Sequence, residues 1–399
     1  MDETIYDCVI VGGGISGISF AHYLHTIGKS TLILEEKEYI GGQVQTAYSE
    51  TRNNYWREMG AHTCYNSYTG LLSIVKEIEG EDLIQPLGKF NYVIYAADKI
   101  KSILSQVSIL PCIFNFPKIF LTNKKGKTVR QYFSPLFGKS NYNRLFTNAF
   151  RAVICQKADD YPAEIFLKQR KERMKELPRR FTFKRGLTSF LKAIVEKDNL
   201  KINNLAEVSG IYKDEDIYRI ETKVGNKYYT KRVAIATNPQ VTSTLVKNIE
   251  PEISTLLSTI PLFGSESLNI TLLKEKLSIK SIAGIISLSD EFMSAVSRDL
   301  IYDENLRSFT FHFEKGKKNQ QEKIDLICKV LNILQSDILE MISTDHALAS
   351  VRMQHLHLDK QIENTMRNDD VYILGNYFYG LSLEDCINRS RKEFERYNR

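Results

Sequence analysis

The sequence has no uninterrupted apolar run of the roughly 20 residues that are needed to cross a membrane. Its acidic first residues, MDETIYD, lead straight into an apolar stretch, so we expect no signal peptide. These two absences favour a cytoplasmic protein that does not span a bilayer.

Cysteine is also scarce. Six cysteines lie at positions 8, 64, 112, 155, 328 and 386, without any CxxC pair. This scatter excludes the common zinc patterns and predicts free thiols in a reducing compartment. His22 and His25 share one predicted helix and have no third ligand near them in the sequence, so we expect surface histidines and no metal site.

The composition is that of an ordinary globular protein, with 43% hydrophobic and 26% charged residues. A length of 399 residues is comfortable for two domains. The net charge of +6 is concentrated in Lys168–Arg185, which holds nine basic and two acidic residues. We interpret this stretch as a solvated helix. A patch that faces anionic lipid or a carboxylate-rich substrate is the alternative.

A glycine-rich turn near the N-terminus is the most informative motif. The apolar run Ile5–Val11 predicts a buried parallel strand, and a helix should begin near Ile15. Gly12, Gly14 and Gly17 between and within these elements fill the pattern G-x-G-x-x-G. Such glycines permit a tight turn and let backbone approach a pyrophosphate, which the free N–H groups at Ile15 and Ser16 would bind.

An acidic residue follows at the spacing that this motif requires. Thr31–Leu34 predicts the second strand, and Glu35 comes directly after it, with Glu36 next in the chain. A carboxylate at this position accepts hydrogen bonds from ribose hydroxyls. The unit therefore predicts a dinucleotide site.

The segment EEKEYIGGQVQT indicates which dinucleotide the site binds. Glu35, Gly41, Gly42 and Thr46 match the extended fingerprint of the flavin amine oxidase superfamily, which this stretch resembles. The resemblance implies FAD rather than NAD. That family usually has arginines where this chain has Gln43 and Gln45, so any charge that they would lend to the pyrophosphate is lost.

Further matches to the family lie along the whole chain. The C-terminal segment GNYFYGLSLEDCI is closer to protoporphyrinogen oxidases than to most amine oxidases, because Gly-Asn replaces Gly-Glu. Tyr377 and Tyr379 are candidates to face the flavin, and no catalytic residue is otherwise predicted. The additional cofactor-binding residues that the resemblance implies are Gly60, Ala61, His62, Val208, Gly375, Asn376, Gly380, Leu381 and Ser382.

The resemblance implies an α/β fold: a Rossmann-like FAD-binding domain with a parallel sheet of the GR2 type, and an inserted α+β substrate domain that contains a helical lobe. We predict that the FAD-binding domain comprises residues 1–95, 183–245 and 345–399, and the substrate domain residues 96–182 and 246–344. Gln321–Ile342 is expected to be a helix. Val107–Leu121 is apolar enough to touch a membrane surface, but two prolines and a lysine favour buried packing.

The function implied is FAD-dependent abstraction of a hydride from a small organic substrate, as in protoporphyrinogen oxidase. Amine oxidase, carotenoid desaturase, nucleotide-sugar mutase and a non-catalytic flavin-bound scaffold are the alternatives. No cysteine lies between Ser350 and Asn376, so we expect non-covalent FAD. We expect no nucleic-acid partner, and peripheral contact with a membrane stays open.

Overall fold

The computed structural model describes residues 4–52, 55–60, 62–115 and 117–399. Five parallel strands form the sheet on which the glycine-rich turn lies. In sheet order they are Lys201–Asn203, Thr31–Leu34, Cys8–Val11, Val233–Ile235 and Val371–Ile373. Every residue of the last four strands is buried, as expected of a parallel sheet that is covered on both faces.

Alternate residues of this sheet enter two different apolar cores. Ile10, Ile33 and Ala234 pack against one layer of helices. That layer consists of Ile15–Thr26, Thr69–Glu77, Leu187–Lys197 and Leu383–Tyr397. Val11 and Leu34 face the opposite layer. It contains the strands Ile5–Tyr6, Val208–Asp214, Ile217–Thr222 and Lys227–Thr230 and the helices Pro239–Val246, Pro251–Ser258 and Leu358–Thr365.

A second, seven-stranded sheet is mixed. In sheet order its strands are Ile338–Ala349, Leu262–Leu273, Leu306–Glu314, Ser294–Ser297, Gly284–Ser287, Tyr92–Ala96 and Lys99–Ser102. The helix Gln320–Leu331 covers its apolar face. The domain boundaries predicted near residues 95 and 345 both fall inside strands of this sheet.

Smaller elements connect the two sheets. A three-stranded sheet is formed by Cys64–Tyr65, Arg180–Phe183 and Ile84–Pro86, and a two-stranded one by Thr46–Tyr48 and Trp56–Glu58. The segment between Ser102 and Arg180 is a helical lobe around an aromatic cluster that includes Phe133, Phe137 and Phe150. Its helices are Ile109–Asn115, Lys118–Leu121, Val129–Phe137, Lys139–Asn141, the π-turn Tyr142–Phe146 and Thr147–Ile154.

Two helical predictions were wrong. The helix expected over Gln321–Ile342 ends at Leu331, because Asn332 adopts a left-handed conformation that terminates it, and Ile338 begins a strand. Lys168–Arg185 is not a solvated helix: it is irregular before the strand Arg180–Phe183. Lys168 and Arg170 instead form ion pairs with the buried Asp385.

Two expectations about burial were also wrong. His22 lies inside the protein, where its two ring nitrogens contact Asp198 at 2.6 Å and Glu77 at 2.8 Å. The apolar segment Val107–Leu121 is not buried by packing, since Leu110 and Phe114 are 69% and 78% exposed. In the described part of the chain, no helix has the length and apolarity to cross a bilayer.

Candidate functional site

The glycine-rich turn forms a backbone cradle at the carboxyl end of the parallel sheet. The helix Ile15–Thr26 begins there, and no side chain among the described residues caps its first N–H groups. Gly12 has φ +107°, and a Cβ added at Gly17 would lie 2.0 Å from the Gly12 carbonyl oxygen. Only glycine fits at both positions, and an uncapped helix start of this kind suits an anion.

Glu35 closes the cradle at the end of the neighbouring strand. Its carboxylate is 5% exposed and accepts hydrogen bonds from Gly13 N at 2.7 Å and Lys37 N at 3.0 Å. Glu36 points to solvent. Val208 is buried at the start of its strand, and the Ala206 N–H donates to the Glu35 carbonyl at 2.8 Å.

The second glycine pair stacks directly on this turn. Gly41 N donates to the Gly13 carbonyl at 2.9 Å, and a Cβ at Gly42 would lie 3.3 Å from the Gly14 Cα. No side chain intervenes between these two stretches of backbone. A flat or extended cofactor laid along this edge therefore meets mostly backbone groups.

The glutamines at the arginine positions hold this loop to the second sheet. Gln43 Oε1 lies 2.9 Å from His346 Nδ1, and Gln45 Oε1 accepts from the Thr344 hydroxyl at 2.6 Å. His346 and Thr344 lie on the strand Ile338–Ala349. Sequence reasoning considered only the charge that these positions lose, and it missed this contact between the two sheets.

The C-terminal turn is arranged differently. Ser382 caps the helix Leu383–Tyr397 by accepting from Asp385 N. A Cβ at Gly380 would lie 2.7 Å from Asp385 Oδ2, so an internal carboxylate already faces this turn. Gly375 is buried with φ +140°, whereas Asn376 and Leu381 are partly exposed.

The two candidate tyrosines lie apart from the open space of the site. Tyr377 is fully buried, its hydroxyl is 3.3 Å from the Thr242 hydroxyl, and burial raises its pKa well above the usual value. Tyr379 donates to Asp359 at 3.1 Å. Neither belongs to the clefts described below.

A cavity of about 50 Å³ lies between the second sheet and the segment that comprises the strand Trp56–Glu58 and the loop after it. Arg57, Glu58, Gly60 and His62 line one side, and Ala61 lies outside the described residues. The opposite wall is formed by Asn269, Ser297, Arg298, Leu300, Ser308 and Thr310. A wider cleft of about 380 Å³ is lined by residues that include Gln45, Thr46, Thr188 and Thr344.

Several buried polar atoms around the cavity have no hydrogen-bond partner among the described residues, although Glu58 Oε2 and His62 Nδ1 lie 3.7 Å from each other. They are Arg57 Nε, Glu58 Oε2, His62 Nδ1, Thr182 Oγ1 and Asn269 Oδ1. The other Glu58 oxygen is held by the Thr46 hydroxyl at 3.0 Å and by Leu187 N at 2.8 Å. Buried polar groups are normally paired, so this concentration indicates a binding site.

The cavity has two arginines. Arg57 is 1% exposed and pairs with Glu340 from the second sheet. Arg298 stacks 4.3 Å from the Tyr55 ring, and its Nη1 is 3.8 Å from Asp303. Burial lowers the pKa of Arg298 below its usual value, but a guanidinium keeps its charge at neutral pH.

Two neutral histidines lie on the polar face of the second sheet. Burial, then the neighbouring His346 and His62, lowers the pKa of His312 to about 3. Burial, then His62, lowers the pKa of His346 to about 4. His312 Nδ1 is 2.9 Å from the Ser267 hydroxyl, while Nε2 of both rings is unpartnered within the described chain.

These features fit a dinucleotide with a flat ring system: an uncapped helix start, a buried carboxylate and a backbone edge that leads to a polar cavity. A family model for flavin-containing amine oxidoreductases matches residues 15–273, well over half of the chain. The chain belongs to this family. The expectations of FAD and of an oxidoreductase are thereby confirmed at the level of the family.

Individual relatives are more distant. A 15-cis-phytoene desaturase from Synechococcus elongatus is 33% identical over 76 residues, which are 19% of this chain and 16% of that protein. The chain spans between 8% and 21% of the length of the first curated relatives that it matches. Each of these matches covers between 19% and 30% of this chain.

Solved structures show the same fold over the entire chain. A "Putative protoporphyrinogen oxidase" from Exiguobacterium sp. 255-15 superposes with a TM-score of 0.77 at 14% identity, with both chains fully covered. Cyclohexylamine oxidase from Brevibacterium oxydans IH-35A gives a TM-score of 0.72 at 13% identity, over 99% of this chain and 100% of that one. These identities establish the fold alone.

Proposed function

We propose that this protein oxidises an organic substrate and binds a carboxylate group of that substrate in the cavity beside Arg57 and Arg298. The observation that carries the proposal is the charge of the cavity wall: it is lined by two guanidiniums, the buried one of Arg57 and that of Arg298, whose side chain is 11% exposed. Arg57 is neutralised by Glu340, whereas Arg298 has an acidic neighbour only at 3.8 Å. An anionic group beside Arg298 would complete its pairing.

We further propose that the backbone cradle holds non-covalent FAD. On FAD binding, the Glu35 carboxylate would exchange its hydrogen bond from Gly13 N for hydrogen bonds from the ribose hydroxyls. When bound, the flavin accepts a hydride from a substrate carbon. The remaining proposed contacts are Gly12, Gly14, Ile15, Ser16, Gly17, Glu36, Gly41, Gly42, Gln43, Gly60, Ala61, His62, Val208, Gly375, Asn376, Gly380, Leu381 and Ser382.

The residues of the cavity would position the substrate. Asn269 Nδ2 donates to the Thr310 hydroxyl at 2.8 Å, and that hydroxyl donates to the Glu58 carbonyl at 2.7 Å. This chain of bonds fixes Asn269 with its Oδ1 free. This fixed acceptor and the Arg298 cation, both on the wall that the second sheet forms, would orient a substrate that has an N–H or O–H group and a carboxylate.

A porphyrinogen has both kinds of group, and we propose a porphyrinogen-like substrate on this ground. The fold similarity to the Exiguobacterium protein is in keeping with this choice. Amine oxidation is the second candidate, because Glu58 Oε2 has no hydrogen bond from a described residue and is a carboxylate oxygen able to accept from an ammonium group. The two guanidiniums disfavour a cationic substrate by repulsion.

Anaerobic mixing of the FAD-loaded protein with substrate tests the proposal through bleaching of the flavin. We expect protoporphyrinogen or coproporphyrinogen to bleach it faster than putrescine or cyclohexylamine. Arg298→Met should slow the reaction by about tenfold or more, the scale of one charged hydrogen bond. Arg232→Met is the matched control, since Arg232 also stacks on a tyrosine and pairs with an aspartate, Asp370, but away from the cavity.

Bleaching by an amine and by neither porphyrinogen would transfer the protein to the amine oxidase alternative. Equal slowing by Arg298→Met and Arg232→Met would remove the role assigned to Arg298.

A further inference from the structure

Within the helical lobe, the helix Ile109–Asn115 has two faces of different character. In Ile109–Asn115, the inner residues Pro111, Cys112 and Asn115 face the protein: Cys112 Sγ contacts the Phe137 carbonyl, and a Cβ at Gly138 would lie 2.8 Å from Pro111. The other face has apolar side chains at positions 109, 110, 113 and 114, which neighbour one another on a helix surface. Among the described residues, no apolar layer covers them.

The exposure of this outer face is high. Together with two flanking leucines, its residues form what we call the apolar face of the lobe: Leu104 81%, Ile109 67%, Leu110 69%, Ile113 61%, Phe114 78% and Leu121 83% exposed. Single exposed apolar side chains are common, but six within 18 positions of the chain form a patch that indicates a partner.

Within the lobe, the part up to residue 158 carries charge of one sign only, and the acidic residues Asp159, Asp160, Glu164, Glu172 and Glu176 follow it. Residues 99–158 contain eleven lysines and arginines and no aspartate or glutamate. The net charge of the whole chain is +6, so the rest of the chain is negative. The basic residues are Lys99, Lys101, Lys118, Lys124, Lys125, Lys127, Arg130, Lys139, Arg144, Arg151 and Lys157.

Only part of this charge is neutralised within the protein. Arg130 pairs with Asp159 and Arg151 with Asp290. Lys118, Lys125 and Lys139 are exposed, and none of them forms an ion pair with a described residue. Lys118 donates to Asn115 Oδ1, so a positive charge without an ion pair to a described residue lies at the C-terminal end of the apolar helix.

We propose that the apolar face of the lobe docks on an anionic lipid bilayer. Its leucine, isoleucine and phenylalanine side chains would enter the boundary between headgroups and acyl chains, and the surrounding lysines would contact the anionic headgroups. The proposal does not depend on the substrate proposed above.

The charge and the side-chain types of the apolar face of the lobe favour a lipid bilayer over two other partners, a second copy of the chain and a nucleic acid. A second copy of the chain would bring an equally positive lobe against the first, and like charges would repel. A nucleic acid offers phosphates to the lysines but no acyl layer for a mainly aliphatic face, and its bases stack on aromatic rings instead. A lipid surface satisfies both the charge and the apolar side chains.

Co-sedimentation of the FAD-loaded, full-length protein with extruded vesicles tests the proposal. We expect binding to vesicles of phosphatidylglycerol and phosphatidylcholine, little binding to pure phosphatidylcholine, and weaker binding as salt increases. The double variant Leu110→Asp with Phe114→Asp should lower the partition coefficient by about tenfold or more. Val224→Asp with Leu334→Asp is the matched control, because these residues are 72% and 69% exposed elsewhere and should leave binding unchanged.

Retained flavin and an unchanged unfolding midpoint establish that each variant is folded. Binding that is equal for both vesicle types, or equal for the two double variants, would overturn the proposal. So would a vesicle-free dimer that the lobe variant converts to a monomer, since a second copy would then cover the face.

Discussion

The two large sheets differ in what they bury. The parallel sheet has apolar residues on both faces, and each face feeds an apolar core. In the seven-stranded sheet, Leu268 and Ile270 pair with Phe311 and Phe309 on one face. The other face carries buried polar residues at alternate positions, namely Ser265, Ser267, Asn269, Thr271, Ser294, Ser308, Thr310 and His312.

Burial of polar groups costs stability when their hydrogen bonds are incomplete. Asn269 Oδ1, Ser294 Oγ and His312 Nε2 have no partner in the described chain. The polar face therefore contributes little to folding and is suited to meet a ligand. In contrast, the parallel sheet offers backbone groups to a ligand at its carboxyl end and has apolar cores on both faces.

The largest effect is expected where the parallel sheet meets its first helix. Gly17→Ala would place a methyl group 2.0 Å from the Gly12 carbonyl oxygen. Overpacking against backbone should cost about 3 kcal/mol of unfolding free energy or more. Gly28→Ala is the control: nothing lies within 4 Å, and only its φ of +71° is unfavourable, for about 1 kcal/mol. Denaturant unfolding of both variants measures the difference, and equal losses would contradict the close packing of this turn.

Glu35→Ala tests whether that turn binds a cofactor through its carboxylate. We expect FAD affinity to fall by roughly 1.5 to 3 kcal/mol, the scale of hydrogen bonds to a charged group. Glu38→Ala, at an exposed position on the same loop, is the control. Titration of apoprotein with FAD gives both affinities. Equal affinity for wild type and Glu35→Ala would mean that Glu35 serves only Gly13 N and Lys37 N.

The proposed dinucleotide site could be predicted because the residues that define it lie close together in the sequence. Gly12, Gly14, Gly17 and Glu35 lie within 24 positions, and a strand and helix follow from the residues around them. The cavity could not be predicted in this way. Asn269, Arg298 and Glu58 come from separated segments, and only strand register brings them together.

One signal for the cavity was nevertheless present in the sequence. Polar residues at positions 267, 269 and 271 alternate with apolar ones at 268, 270 and 272, a pattern that also fits a strand with a solvated face. Only the packing of Glu58 on Thr310 shows that this face is covered. The exposure of Val107–Leu121 had no local signal either, because an apolar run predicts burial unless its partner is known.

Two adjacent residues allow the apolar and the polar face of the second sheet to be compared by mutation. Ala295 lies in the apolar core and Ser294 on the polar face. Ala295→Ser buries an unpaired hydroxyl and should cost about 1 to 3 kcal/mol. Ser294→Ala removes an oxygen that has no partner, so the unfolding free energy should change by less than about 0.5 kcal/mol. Comparable losses would show that the polar face is also required for folding.

The smallest expected effect is a dependence of the unfolding free energy on pH that arises from histidines on the polar face. His312 and His346 have pKa values lowered to about 3 and about 4, mainly by burial and further by neighbouring histidines. In the unfolded chain a histidine takes up a proton near pH 6.5, whereas in the folded protein these two stay neutral. The unfolded state therefore binds more protons below about pH 6.5, and stability falls as pH decreases toward the folded pKa values.

Between about pH 7 and pH 5, His312 should account for a loss of about 1 to 2 kcal/mol. His312→Gln removes this titration and keeps a side chain able to bond Ser267, so unfolding curves at the two pH values should differ less than in wild type. His25→Gln, at an exposed position, should retain the wild-type difference. If His312→Gln also retained it, the protonation of His312 would not oppose folding, and the polar face would be more hydrated than its burial indicates.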